Sequence, residues 1–256
     1  MVDIKSEREI ELIKESCRIT AIACKAVEGA IRPGVSTGQL DKIAEELIRA
    51  HAGIPSFKNY PSRQKGVPDF PATVCISIND EVIHGIPRRN RIIAEGDIVS
   101  IDIGAYKNGF HGDMARTIIV GAVDDETKRL VEVTKQSFYE GIKFAKPGYR
   151  IGDVSHAIGS FVEQNGFSVV KEFQGHGIGK ELHEDPAIPN YGKIDTGIRL
   201  EVGMTLAIEP MVNMGKCDIE ELDDGWTIVT KDGTNSAHYE NTILITEKGP
   251  EILTII

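Results

Sequence analysis

Asp102 and Asp113 stand in a stretch, Asp97 to Val120, that otherwise reads as buried strand: Ile98-Val99-Ser100-Ile101 before the first, Thr117-Ile118-Ile119-Val120 after the second. Between them lies Asn108-Gly109, the strongest short-range signal for a tight hairpin turn. A two-residue turn there pairs Asp102 opposite Ala115. It also brings Asp113 diagonally across, on the same face of the ribbon. Asp is depleted in strands, and a buried carboxylate without a partner is costly. Two readings follow from this stretch alone. Either the hairpin turns a polar face to water, or the two carboxylates hold a cation.

Three further groups have the same character. Gly175-His176-Gly177-Ile178-Gly179 presents an imidazole between glycines, where backbone and ligand can approach closely. Ile208-Glu209-Pro210 puts a carboxylate before a proline, which biases it to extended backbone. His238-Tyr239-Glu240-Asn241-Thr242-Ile243 carries a fourth carboxylate into an apolar run. Any one of these alone reads as a solvated strand residue. Together, four carboxylates and one imidazole suit a dinuclear site for hard-to-borderline cations. Two divalent ions would balance the charge of Asp102, Asp113, Glu209 and Glu240.

The elements that must position these groups are legible in outline. Ser6 with Glu9 resembles a capping box, and Ile10, Ile13, Cys17 and Ile22 follow, predicting a helix from about Glu7 to Ala30 that ends at Arg32-Pro33-Gly34. Ser36 or Thr37 caps a second helix over 38–50. The stretch 53–69, with Pro55, Pro61 and Pro68, reads as irregular loop. Ala72 to Ile78 reads as a strand, Asn79-Asp80-Glu81 as a turn, and Val82 to Gly85 as a short return. Thr127 to Ala145 and Gly152 to Asn165 predict two more helices. The second half repeats the first weakly. Pro33-Gly34 with Gly38 matches Pro147-Gly148 with Gly152, and the run ending at Asp102 matches the run ending at Glu209. The expected fold class is therefore α+β. A pseudo-two-fold pair of halves, about 5–120 and 121–250, forms one antiparallel sheet with helices on its outer face. The site would lie on the inner face between the halves. No linker separates independent domains, so residues 1–256 read as a single catalytic domain.

Composition narrows the classes of function. A chain of 256 residues with a net charge of -10 and a pI near 5.2 carries no nucleic-acid footprint and no attraction to anionic membranes. Cys17, Cys24, Cys75 and Cys217 are scattered, with neither zinc-finger nor disulfide spacing, and read as reduced thiols of a cytoplasmic protein. The charged segment Met1 to Lys14 lacks the apolar core of a signal peptide. No apolar run approaches the roughly 18 residues of a membrane span. No heptad or apolar patch argues for more than a monomer.

The motifs Asn79-Asp80-Glu81-Val82-Ile83-His84-Gly85-Ile86-Pro87, Asp102 with Asp113, Gly175-His176-Gly177-Ile178-Gly179, His183-Glu184-Asp185-Pro186, Ile208-Glu209-Pro210 and Glu240 occur in this order over essentially the whole chain. With them, the chain resembles the short bacterial type of methionine aminopeptidase, in the pita-bread (M24) peptidase family that also holds prolidases and creatinase. The resemblance implies the pita-bread fold and two divalent metal ions, of cobalt, manganese, iron or zinc. It implies Asp102, Asp113, His176, Glu209 and Glu240 as ligands, with Asp113 and Glu240 bridging, Asp102 on one metal, and His176 with Glu209 on the other.

The implied reaction is removal of the initiator methionine from the N-termini of nascent polypeptides when the second residue is small, by metal-activated water. Glu209 would shuttle a proton, His183 would donate to the substrate carbonyl, and His84 would contact the substrate or leaving nitrogen. By the same resemblance, Phe70, Cys75, His84 and Trp226 line a methionine pocket, where a thioether packs well on rings and sulfur. The family commonly has tyrosine where Phe70 stands, and the loop 64–69 matches it poorly. A transient ribosome contact is compatible with this role but is written nowhere in the residues. Two other functions compete: an Xaa-Pro-directed peptidase of the same fold, and a non-catalytic binding module that keeps the fold without the chemistry.

Overall fold

The structure, a computed structural model, describes residues 2–62 and 64–256. Arg63, inside the stretch expected to be irregular, lies outside the described residues. Four helices cover the sheets. Helix α1 (Glu7–Ala30) starts at a reciprocal capping box between Ser6 and Glu9, and α2 (Thr37–Ala50) at another between Ser36 and Gln39. The buried stripe Ile13, Cys17, Thr20, Cys24 and Val27 recurs at helical spacing and turns α1 inward. Its Cys24 and Val27 meet Val74, Ile76, Ile101 and Ile103 in one apolar cluster with Leu40 and Ile48 of α2, while Ile13 and Cys17 pack with Phe110, Leu244 and Leu253. Each such side chain contributes about 1.5–3 kcal/mol by leaving water.

Helices α3 (Asp125–Ile142) and α4 (Ile151–Gln164) cover the other sheet, where Phe138, Val154 and Ile158 pack on Ile188, Leu206 and Ile243. The start of α3 lies earlier than the expected Thr127, because Asp124 accepts the Thr127 N–H and caps the helix there. Among the described residues, no helix is long and apolar enough to cross a membrane.

All strand pairs are antiparallel. The central hairpin joins Ile98–Lys107 to Phe110–Ile119 with Asp102 opposite Ala115 and Gly104 opposite Asp113. Asn108 and Gly109 both have positive φ (53° and 91°), as a type I′ turn requires. Val74–Ile78 lies along the first hairpin strand with Cys75 opposite Asp102. That strand starts two residues later than expected, because the Asp41 carboxylate takes the amides of Thr73 and Val74. The loop 53–69 is not wholly irregular: Ile54–Pro55 pairs with Tyr106 and Ala105.

A five-stranded sheet orders Gly249–Ile252, Asn241–Thr246, Thr205–Ile208, Gln174–Gly177 and Glu184–Pro189. The two large sheets meet where Ala115 and Glu240 exchange backbone hydrogen bonds of 3.4 and 3.0 Å. Beside that joint, side chains replace ladder bonds. Thr242 Oγ1 accepts from Asp113 N, Thr117 Oγ1 bonds both N and O of His238, and the Arg116 guanidinium donates to Glu240 O and Asn241 Oδ1. Among the described residues the strands distribute over four sheets rather than the single sheet expected, and this seam joins the two large ones.

Candidate metal centre and its cavity

The hairpin register sends Asp102 and Asp113 out on one face, with Cys75 beside Asp102. The seam brings Glu240 against Ala115, directly across from Asp102. From the five-stranded sheet come His176, inside its strand, and Glu209, at the end of the strand Thr205–Ile208. Close strand approach explains the glycines around His176. A Cβ on Gly175 would lie 2.4 Å from Ala207 O, and one on Gly177 2.1 Å from Asp185 O. The five groups line one cavity of about 590 Å³.

The donor atoms converge. Asp113, His176 and Glu240 each offer one ligand atom, and all three atoms lie within 4.8 Å of one another. Glu209 Oε1 is 3.5 Å from His176 Nε2. His176 Nδ1 donates to Gly177 O at 2.9 Å, so its proton is on Nδ1 and Nε2 faces Glu209 with a lone pair. Two donor atoms facing each other across 3.5 Å suit a shared cation, since each would bind a zinc-like ion at about 2.0–2.2 Å. Asp102 Oδ1, Asp113 Oδ1 and Glu240 Oε1 are buried without a hydrogen-bond partner among the described residues. A buried oxygen without a donor is the feature that a bound cation answers.

The electrostatics agree. Burial, then the neighbouring carboxylates Asp102 and Glu209, pushes Asp113 well above the ordinary range. Burial, then Asp113, does the same to Glu240. Burial raises Asp102 and Glu209 to about 7. Without positive charge, these four groups hold protons instead. A divalent ion releases those protons and takes their place.

The other residues expected at the site line the same cavity: His84, His183, Phe70, Cys75 and Trp226. The Phe70 and Trp226 rings meet edge to face at 5.2 Å, and Trp226 Nε1 donates to Pro68 O. His84 has a positive φ of 59° and packs edge-on to Phe173. Burial, then His238, lowers its pKa to about 4, so it stays neutral. The exposed His183 stacks edge-on to His176, and its Nδ1 lies 2.7 Å from the Tyr60 hydroxyl.

Several contributors have no signal in the sequence. Tyr60 meets His183 across a large separation in the chain, and Arg116 grips Glu240 while lying 4.3 Å over the Tyr239 ring. Asn190 Nδ2 donates to Glu209 O. His238 stands behind Glu209. None belongs to a local pattern; only the fold places them.

A family model described as metallopeptidase family M24 matches residues 11–247. A methionine aminopeptidase of Clostridium acetobutylicum is 48% identical over 255 residues, covering 100% of this chain and 99% of that protein. Methionine aminopeptidase 1 of Bacillus subtilis is 49% identical over 254 residues, covering 99% of each. The crystal structure of a methionine aminopeptidase from Thermotoga maritima superposes with a TM-score of 0.96 at 46% identity, covering 100% of both chains.

Proposed function

This chain belongs to metallopeptidase family M24, and from that membership and the geometry of its cavity we infer a metal-dependent aminopeptidase that removes N-terminal methionine. One cavity carries the inference, because two kinds of group line it. Carboxylates and an imidazole converge there with unsatisfied oxygens, and Phe70, Cys75 and Trp226 add rings and a sulfur to the same wall. A methionine side chain would pack on the rings and sulfur while its N-terminus reaches the carboxylates. Residues 5–120 and 121–250 act as two related halves of one catalytic unit, since both supply groups to the cavity. The substrates are N-termini of nascent chains with a small second residue.

Asp102, Asp113, His176, Glu209 and Glu240 would hold two divalent ions, which when bound would make hydroxide available near neutral pH and polarise the scissile carbonyl. The protein does the rest. Glu209 takes the proton of the attacking water and returns it to the leaving amine. The Tyr60 hydroxyl, 2.7 Å from His183 Nδ1, orients the imidazole that meets the carbonyl oxygen as it gains charge. His84, neutral and half-buried, accepts or donates at the scissile nitrogen. Phe70, Cys75 and Trp226 exclude water around the thioether.

A Met-Xaa-Gly peptide series beside Ala-Pro tests this function. Release of Met with Ala, Gly or Ser at Xaa, none with Lys or Leu, and no cleavage of Ala-Pro are expected. Equal rates for Ala and Lys would overturn the specificity. Cleavage of Ala-Pro in preference to Met-Ala-Gly would make the chain a proline-directed peptidase.

A further inference from the structure

Glu209 lies between two imidazoles, and only one of them is a candidate ligand. His238 is 2% exposed, and its Nε2 is buried without a hydrogen-bond partner among the described residues. That atom is 3.6 Å from Glu209 Oε2, while Glu209 Oε1 faces His176 Nε2 at 3.5 Å. The backbone of His238 is pinned. Its N–H donates to Thr117 Oγ1 and its carbonyl accepts from the same hydroxyl, each at 2.9 Å, and it pairs with Met211 in a strand ladder. The ring is therefore held in place behind the carboxylate, not free to turn toward water. His238 does not line the cavity that the five candidate ligands line.

The two imidazoles present opposite chemistry to Glu209. His176 spends its N–H on Gly177 O and offers Glu209 a lone pair. An ionised carboxylate only accepts hydrogen bonds, so a proton on His238 Nε2 answers both buried groups at once. We propose that His238 is a positioning residue for Glu209: its Nε2–H donates to Oε2 and so turns Oε1 toward His176 and the metal. The 3.6 Å gap is longer than a hydrogen bond; a small turn of the Glu209 carboxylate toward His238 closes it, as such contacts tighten in working complexes. The inference rests on Glu209 being a metal ligand and proton carrier.

The test compares wild type, His238→Leu and His238→Gln. Leu keeps bulk but has no donor; the Gln amide N–H reaches where Nε2–H stood. Manganese is titrated into chelator-treated, dialysed protein by calorimetry, and kcat and KM are read separately on Met-Ala-Gly. Expected for His238→Leu is manganese affinity lowered about 10- to 100-fold, with kcat reduced and KM little changed. His238→Gln should bind manganese close to wild type. Wild type that binds no manganese overturns the metal reading itself. Wild-type affinity in His238→Leu, with wild type binding normally, overturns only the role of His238. Gln as impaired as Leu also overturns it, because shape rather than the donor would matter. A cobalt-substituted wild type whose paramagnetic NMR spectrum shows a coordinated imidazole that is missing from cobalt-substituted His238→Gln would make His238 a ligand, which refutes positioning. If His238→Leu does not fold, His238→Asn, whose amide stops short of Oε2, takes its place, and Asn equal to Gln refutes the proposal.

Discussion

Removing metal should invert the usual dependence of stability on pH. Asp102 rises from 3.8 to about 7 in the folded protein, and Glu209 from 4.5 to about 7, because burial disfavours their charge. A folded pKa above the unfolded one means that the folded state binds more protons. Stability from this source is then full below the unfolded pKa and is lost as pH rises through the folded pKa. The lowered imidazoles work the other way. His84 and His111, each brought down to about 4 mainly by burial, lose stability only as pH falls below the ordinary histidine value of 6.5. The window is about pH 6.5 to 8.5; an unfolded imidazole is still half protonated at its lower edge, and its discharge returns about 0.4 kcal/mol per histidine, part of what the carboxylates lose.

Across that window Asp102 and Glu209 should each cost the chelated protein about 1 kcal/mol. Asp113 and Glu240, held higher still, act in the same direction. The loss from the first two alone is roughly 4–8 °C of melting temperature for a chain of this size. Bound manganese requires the deprotonated groups, so its stabilisation should grow over the same range. The assay is thermal melting with chelator and with manganese at about pH 6.5 and 8.5. A chelated protein equally stable at both pH values, or more stable at the higher one, would refute the buried carboxylate cluster.

Other perturbations have distinct expected outcomes. His183→Ala should keep wild-type metal content by elemental analysis and lose on the order of 10²-fold in turnover; loss of metal would make His183 a ligand. Lys5, with a side chain 1% exposed, ties the N-terminal segment to Glu184 at 2.6 Å, beside His183. Lys5→Met leaves Glu184 unpaired, so it should lower unfolding free energy in urea by up to about 3 kcal/mol, and an unchanged midpoint would contradict that anchoring. Trp226→Ala opens the apolar end of the cavity, so KM for Met-Ala-Gly should rise more than kcat falls; an unchanged KM would remove Trp226 from the pocket.

What could be read in the residues follows a physical division. Asn108-Gly109 admits positive φ at both positions, which fixed the hairpin register and hence the common face of Asp102 and Asp113. Ser6 with Glu9 and Ser36 with Gln39 are local reciprocal bonds, legible within four residues of sequence. The seam was not legible. Arg116 to Glu240, Tyr60 to His183 and Lys5 to Glu184 join residues more than a hundred positions apart, and no spacing rule links them. His238, two residues before Glu240, carries no local signal of its own; only the fold reveals that its ring is buried against Glu209. Helix α3 shows the same limit on a smaller scale, since Asp124 was free to cap or not until its neighbours were placed.

The converging carboxylates and imidazole should hold metal that the reaction needs. The sharpest check removes all metal with chelator, adds manganese back stepwise, and follows Met release from Met-Ala-Gly against bound metal measured by elemental analysis in the same samples. Metal-free protein should release no Met, and release should rise with occupancy. Full release by metal-free protein, or none from fully loaded protein, would contradict this.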